Sequence, residues 1–277
     1  AAGPAANHAI TTSDPLVAAI TFEWTLGPTS RLRMVVQLTA DSRHLSFACD
    51  ADWHEKDTLL KVAFPVSPRS DSATYEMQFG CIARPTHANT PADTAQYEGC
   101  GHRWVDLSEH GFGVSLLTDS RYGYAVRDNV MAISLLRGPT YPDPEADMGR
   151  HQFRYAVFPH AGDWRTAGIV AEGALFNSPV LWAQGPAGIP KQSLFSVDDP
   201  MVVMDTVKQA EDSDAVVVRL YEAGGGRRET TLRTGRTVRQ ACRSNILEET
   251  LETLPVRDHA IDLVLGPFQI LTLKLTW

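Results

Sequence analysis

Apolar residues recur at every second position along much of the chain. In Arg31–Thr39 the apolar face is Leu32, Met34, Val36 and Leu38, and in His44–Ala51 it is Leu45, Phe47, Cys49 and Ala51. The same spacing joins Leu60, Val62, Phe64 and Val66, and then Tyr75, Met77, Phe79 and Cys81. It returns at Phe153, Tyr155 and Val157, at Val216, Val218 and Leu220, and at Leu271, Leu273, Leu275 and Trp277. Period two is the mark of a strand with one buried face. Turn-like clusters separate these runs: LGPTS, SPRSDS, PTHANTPADT, SEHGFG, QGPAGIP and EAGGGRR. Helical periodicity is confined to Thr166–Ala171 and Val207–Ala210, and both stretches fit loops or strands equally well. No fixed-length repeat points to a propeller or solenoid. The pattern predicts an all-β protein built as a large antiparallel β-sandwich.

Proline and glycine cluster in QGPAGIPKQS, Gln184–Ser193, which marks a boundary. Residues 1–19 read as an N-terminal tail and 20–190 as the main β-sandwich domain. Residues 191–277 supply C-terminal strands, either a smaller β-sandwich subdomain or extra strands on the first.

Composition narrows the classes of function. A chain of 277 residues with 43% hydrophobic content can bury a substantial core. The net charge of −8 argues against nucleic acid, which needs a basic face. No window approaches the roughly 20 apolar residues of a membrane span. The four cysteines, Cys49, Cys81, Cys100 and Cys242, form no CxxC pair and no dense disulfide framework. Cys49 and Cys81 fall on apolar strand faces and read as small core residues in a reducing, cytoplasmic setting, with one disulfide left open. The opening AAGPAANHA lacks the layout of a signal peptide.

The densest chemistry lies in Leu135–Arg165, LLRGPTYPDPEADMGRHQFRYAVFPHAGDWR. Proline fixes φ and removes backbone donors, so PTYPDPEAD must be a shaped loop between two strands. Asp143, Glu145 and Asp147 alternate as DxExD, but Arg154 stands where a calcium loop places its bidentate glutamate. Paired carboxylates suit glycoside hydrolysis only at separations that sequence does not fix. Capping turns and pairing with Arg137 or Arg150 is the simpler role for them. In DWHE, Asp52 to Glu55, acid, indole and imidazole suit a sugar, although a turn with Trp53 packed on a sheet edge is the more ordinary outcome. His54-Glu55 is not HExxH, and RPTHANT, Arg84–Thr90, reads as a solvated loop. Gly224–Gly226 reads as a hairpin-like turn, and no GxSxG, P-loop or dinucleotide fingerprint is present.

Several long blocks, in order, resemble the C-terminal β region of glycoside hydrolase family 38 α-mannosidases of bacterial type. They are DWHEKDTLLKVAFPV (52–66), FG-x-I-x-RPTH (79–87), RWVDLSEHGFGVSLLTDSRYGYAVRDN (103–129), the run 135–165, RLYEAGG (219–225) and GPFQILTLKLTW (266–277). The resemblance implies a supersandwich of galactose-mutarotase-like kind. It implies retaining hydrolysis of α-mannosides by a parent enzyme. There, an aspartate nucleophile and a divalent metal, usually zinc, sit in an N-terminal α/β catalytic domain followed by a helical domain. Neither has a counterpart here, so the chain is expected to be a C-terminal fragment, inactive alone and without a cofactor of its own. Its partners would be that absent catalytic domain and, through it, an α-mannoside. Arg137, Tyr141, Asp143 and Asp147 are the candidate substrate-lining residues, with Tyr122, Tyr124 and Arg127 a weaker set. Two other roles compete: a standalone carbohydrate-binding module and a purely structural brace. A domain separated from its partner should also show a large apolar patch, one that a homo-oligomer would hide.

Overall fold

The computed structural model describes residues 2–178, 180–185 and 193–277. The first two thirds of the chain carry β1 (Asn7–Ser13), β2 (Val17–Leu26), β3 (Ser30–Thr39), β4 (Leu45–Trp53), β5 (Leu60–Pro65), β6 (Ser72–Met77) and β7 (Gly80–Pro85). After helix α1 (Pro91–Ala95) come β8 (Gly99–Cys100), β9 (Trp104–Glu109), β10 (Phe112–Thr118), β11 (Gly123–Arg127), β12 (Val130–Leu136), β13 (Gly149–Ala161) and helix α2 (Ile169–Asn177). The remainder holds β14 (Phe195–Val197), β15 (Val202–Gln209), β16 (Val216–Glu222), β17 (Arg228–Thr234), β18 (Gln240–Ser244), β19 (Thr250–Leu254), β20 (Ala260–Leu265) and β21 (Ile270–Thr276). The fold is all-β and antiparallel, as the alternation predicts.

Two compact units emerge, Ala1–Glu76 with Ile82–Pro179, and Met77–Cys81 with Val180–Trp277. The expected boundary at 184–193 falls mostly outside the described residues.

In the first unit a nine-stranded sheet, β1-β2-β3-β4-β13-β10-β9-β6-β7, faces a four-stranded sheet, β5-β12-β11-β8. One core joins them. Phe47, Cys49, Trp53, Phe153 and Tyr155 from the large sheet meet Tyr124, Met131, Ile133 and Leu135 from the small one. Phe47 stacks on Tyr155 at 4.9 Å and Phe64 of β5 leans on both. Each such side chain contributes about 1.5–3 kcal/mol by leaving water. Burial pushes the Cys49 thiol up to about 12, which keeps it protonated and inert among these rings.

The outer face of the large sheet is also partly covered. Ile169, Val170, Gly173 and Phe176 recur at helical spacing and bury one side of α2. Gly173 lets the helix approach Trp104 of β9, where an added Cβ would lie 2.7 Å from the indole. Trp164 packs tilted against Trp104, with ring centroids 5.1 Å apart.

Three stretches differ from the sequence pattern. Residues 1–19 hold β1 and the start of β2 instead of a tail. Ile10 pairs with Ile20, and an edge strand needs only one neighbour's backbone, so its own pattern is weak. The alternation Tyr75–Cys81 runs through a turn at Gln78 and Phe79, with Phe79 at φ +57°. Of the two helical stretches, Thr166–Ala171 overlaps the start of α2, whereas Val207–Ala210 runs from β15 into its end.

In the second unit a five-stranded sheet, β15-β16-β21-β18-β19, and a three-stranded sheet, β14-β17-β20, share one core. The glycine run is not a hairpin. It carries the chain from β16 in one sheet to β17 in the other. Such a crossover exposes several backbone N–H groups, and Glu222 collects them. Its buried carboxylate accepts from the N–H groups of Gly224, Gly225, Gly226 and Phe268 at 2.8–3.1 Å, with Arg228 Nε at 3.4 Å. Gly225 sits at φ +77° against the Phe268 ring, where a Cβ would come within 2.8 Å. Phe79 packs edge-on to Tyr221 at 5.3 Å. Phe79 and Gly80 thus meet Tyr221 and Phe268 within this unit.

Burial alone would raise the pKa of Glu222, but the four backbone donors outweigh it and hold the carboxyl below its ordinary value. A depressed folded pKa adds stability that is present above the unfolded carboxyl value of about 4.3 and is lost as pH falls through the folded value. Glu222→Ala should therefore cost about 3 kcal/mol at neutral pH in urea titrations, because it strands buried donors. Its penalty should shrink on acidification below about pH 4.

Candidate functional site

The chain between β12 and β13, residues 137–148, forms the proline-shaped loop expected from sequence, and it docks on the turn after β4. Asp147 closes the loop on itself. Its carboxylate accepts from the backbone N–H groups of Arg137 and Gly138 at 3.0 and 3.2 Å. Its carbonyl meets His151 Nε2 at 2.8 Å, and its backbone sits at φ +63°. Arg121, stacked 4.4 Å from Phe153, supplies a nearby positive charge. Burial lowers the Arg121 pKa, and Asp147 and Asp119 oppose that shift.

Gly138 makes the dock possible. It adopts φ +55°, and a Cβ there would lie 2.2 Å from the Glu55 carbonyl oxygen. The Gly138 carbonyl accepts from Asp57 N–H at 2.7 Å, and Thr140 Oγ1 donates to Asp57 Oδ1 at 3.0 Å. Two separate segments, DWHEKD and PTYPDPEAD, are therefore one surface.

Trp53 is core, 2% exposed, with its indole nitrogen beside Gly138 and no hydrogen-bond partner. It offers no face to a ligand. Glu55 accepts from Ser30 Oγ at 2.9 Å, and Asp52 pairs with His54 at 2.9 Å in solvent.

The four candidate residues thus separate. Asp147 is a backbone clamp. Asp143 caps Glu145 N–H at 2.9 Å and is exposed. Tyr141 stands at the loop's apex, 87% exposed. Arg137 is exposed and carries its charge toward Glu98. Burial raises the Glu98 pKa, but Lys61 at 2.5 Å, Ser134 and Arg137 together bring it below the usual carboxylate value. Arg150 pairs with Asp50 at 3.3 Å and not with the loop acids. In the weaker set, Tyr124 is buried and donates to the His102 carbonyl, whereas Tyr122 is exposed and stacks on His102. Arg127 is occupied by the carbonyls of His87, Asp93 and Gln96, which fixes the loop around α1.

A second polar group, absent from the sequence reading, lies under α2. Asp106 accepts from Ser115 Oγ at 2.6 Å and Ser108 Oγ at 2.5 Å, and contacts His160 Nε2 at 2.8 Å. Asp106, Ser115 and His160 are buried. A hydrolytic triad places the histidine between serine and aspartate through its two nitrogens. Here the aspartate takes the serines directly and shares the same imidazole nitrogen, so the cluster holds three strands and activates nothing. In RWVDLSE its polar alternation mimics a solvated strand face, which conceals it.

A depression of about 510 Å³ lies beside α2, lined by Arg43, His44, Arg154, Glu172 and Phe176 among others. Its charges are largely spent on each other, with Arg43 on Glu172 at 2.6 Å. Burial lowers the His44 pKa and Glu172 opposes it. Among the described residues no group of three His, Cys, Asp or Glu side chains is arranged to hold a metal ion.

Gly138→Ala should lower stability by about 2 kcal/mol or more in thermal unfolding, since both the left-handed backbone and the Glu55 contact oppose a Cβ. Asp106→Ala should cost about 3 kcal/mol, and Ser115→Ala about 1 kcal/mol. A fluorophosphonate probe should leave Ser115 unlabelled.

Residues 2–145 match the family profile described as "Glycosyl hydrolases family 38 C-terminal domain". Residues 201–273 match "Glycosyl hydrolases family 38 C-terminal beta sandwich domain". The chain is 42% identical to Alpha-mannosidase 2C1 of Homo sapiens over 99% of its own length, which is 27% of that protein. It is 35% identical to Alpha-mannosidase of Saccharomyces cerevisiae, with 81% of this chain and 23% of the yeast protein covered. The chain therefore spans about a quarter of the curated relatives it matches. The crystal structure of an alpha-mannosidase from Enterococcus faecalis V583 superposes with a TM-score of 0.82 at 17% identity, covering 97% of this chain and 35% of that one, which shows the same fold. The chain belongs to glycosyl hydrolase family 38 and corresponds to the C-terminal β domains of that family.

Proposed function

We propose that the chain works as part of a retaining α-mannosidase, where it supports the catalytic domain and lines the sugar pocket with loop 137–148. The observation that carries this is the 42% identity to a protein named an α-mannosidase across 99% of the chain, while only 27% of that protein is spanned. Nucleophile, general acid and metal are assigned to the rest of the polypeptide. The loop supplies what a polyol needs: the Arg137 guanidinium as donor, Asp143 as acceptor, and the Tyr141 ring as an apolar face. Asp147 acts at one remove by holding the backbone that carries Arg137. The four free cysteines suit a reducing compartment, which favours the cytoplasm.

The test is kinetic and uses the full-length enzyme. Arg137→Ala and Tyr141→Ala should each lower kcat/KM on an α-mannoside by about tenfold with an unchanged melting temperature. Asp147→Ala should lower both activity and melting temperature. Unchanged kinetics in all three would leave the loop with a bracing role alone.

A further inference from the structure

The two sheets of the first unit differ by five strands. The small sheet ends at β5, and Phe64 fixes β5 above β4 and β13 through contacts to Phe47 at 5.6 Å and Tyr155 at 6.2 Å. Leu32 of β3 still belongs to the core, and Trp24, Leu26, Met34 and Val36 pack against it, whereas β1 and the ends of β2 and β3 that carry Ile20 and Leu38 lie outside it. Their core-side face continues as a ledge past the rim of the sandwich.

Register defines what the ledge presents. Ile10 pairs with Ile20 and Ile20 with Val36. The regular pairing Gln37 with Ser46 sets Leu38 beside Leu45. Period two places Ile20 and Leu38 on the face of Trp24, Met34 and Val36, which pack against the core. Yet Ile10 is 74% exposed and Leu38 49%, with Ile20 and Leu45 each more than a third exposed. The ionisable residues of β2 and β3, namely Glu23, Arg31 and Arg33, have the opposite parity and point to the other face. The ledge is thus largely apolar, with Phe22 between Ile20 and Trp24 and with His8, stacked on Phe22 at 6.2 Å, as the ionisable residue that β1 to β3 place on it. It is bordered by two strands, β1 and β5, each at the edge of its sheet.

We infer, building on the proposed mannosidase assignment, that this ledge is the seat of the polypeptide that precedes the C-terminal domains in full-length family 38 proteins. Four observations select that occupant. The relatives are nearly four times as long as this chain, so a large partner is covalently attached. The family profile is a C-terminal one, so the attached part reaches the domain through β1, the outermost strand of the ledge. Tethering makes the contact intramolecular and raises its effective concentration into the millimolar range. A face this apolar, with neither carboxylate nor guanidinium from β1 to β3, suits a permanent apolar contact, whereas a sugar would need directed hydrogen bonds. The free edges of β1 and β5 add unpaired backbone groups that an extended segment can complete.

Hydroxyl-radical footprinting of the unmodified full-length protein tests this without any substitution. Oxidation of Ile10, Ile20 and Leu38 is read by mass spectrometry in the native and the urea-unfolded protein. The expected result is protection by about tenfold at all three, in the range of a core residue such as Leu116. Protection below about twofold at Ile10 and Leu38 overturns the proposal, because the chain's own exposure already accounts for that much. Protection that disappears on dilution, with a matching fall in mass by light scattering, also overturns it, since a second copy then covers the ledge. Hydrolysis of an α-mannoside is measured on the same sample. Its absence defeats the mannosidase assignment and leaves the footprint interpretable.

Discussion

The first unit is governed by a mismatch in area. A nine-stranded sheet has two faces to remove from water, and a four-stranded sheet can cover only part of one. Over the centre the small sheet supplies Tyr124, Met131 and Ile133, and the core forms there. On the reverse side α2 and Trp164 cover β9 and β10, which drives Trp104 and Asp106 into the interior. Once α2 is in place, Asp106 must be satisfied, and Ser108, Ser115 and His160 are the groups within reach. What stays uncovered is the outer end of β1–β3, where Ile10, Ile20 and Leu38 are exposed.

The acidic side chains with most influence on the fold serve the backbone. Glu222 gathers N–H groups that a sheet-to-sheet crossover would strand, and Asp147 gathers two at the neck of a proline-rich loop. In both cases a glycine at positive φ permits the close approach, Gly225 under Phe268 and Gly138 against Glu55. The consequence for function is a division of labour within loop 137–148. Carboxylates fix its path, and the arginine and tyrosine remain on its surface.

Much of this architecture was legible in the sequence. Period two identified β3, β4, β5, β13, β16 and β21, because each turns a row of alternate apolar residues to its core, even in β16, where Val217 and Tyr221 bury the opposite face as well. The prolines of PTYPDPEAD marked the loop correctly. Other features were hidden for physical reasons. The alternation Tyr75–Cys81 continues through a turn because Phe79 has an apolar partner in Tyr221, so burial persists where the strand does not. β1 carries little pattern because most of its residues are exposed. Gly224–Gly226 looked like a hairpin because sequence shows the turn but not which sheet receives the next strand. Asp106 and Ser108 looked solvated because their cover, α2, lies more than sixty residues downstream. Docking of loop 137–148 on Asp57 depends on a backbone contact that no side-chain pattern announces.

The position of β13 sets the order in which the large sheet can be assembled. Strands β1 to β4 form a meander of neighbours, and β9 and β10 form a hairpin. β13 lies between these two parts, paired with β4 on one side and with β10 on the other. The pairing with β4 spans about a hundred residues of chain, so it carries a high loop-closure cost and closes late. Until residues 149–161 leave the ribosome, the sheet exists as two halves with open inner edges at β4 and β10. Nascent chains of this domain are therefore most vulnerable to mispairing just before their thirteenth strand emerges.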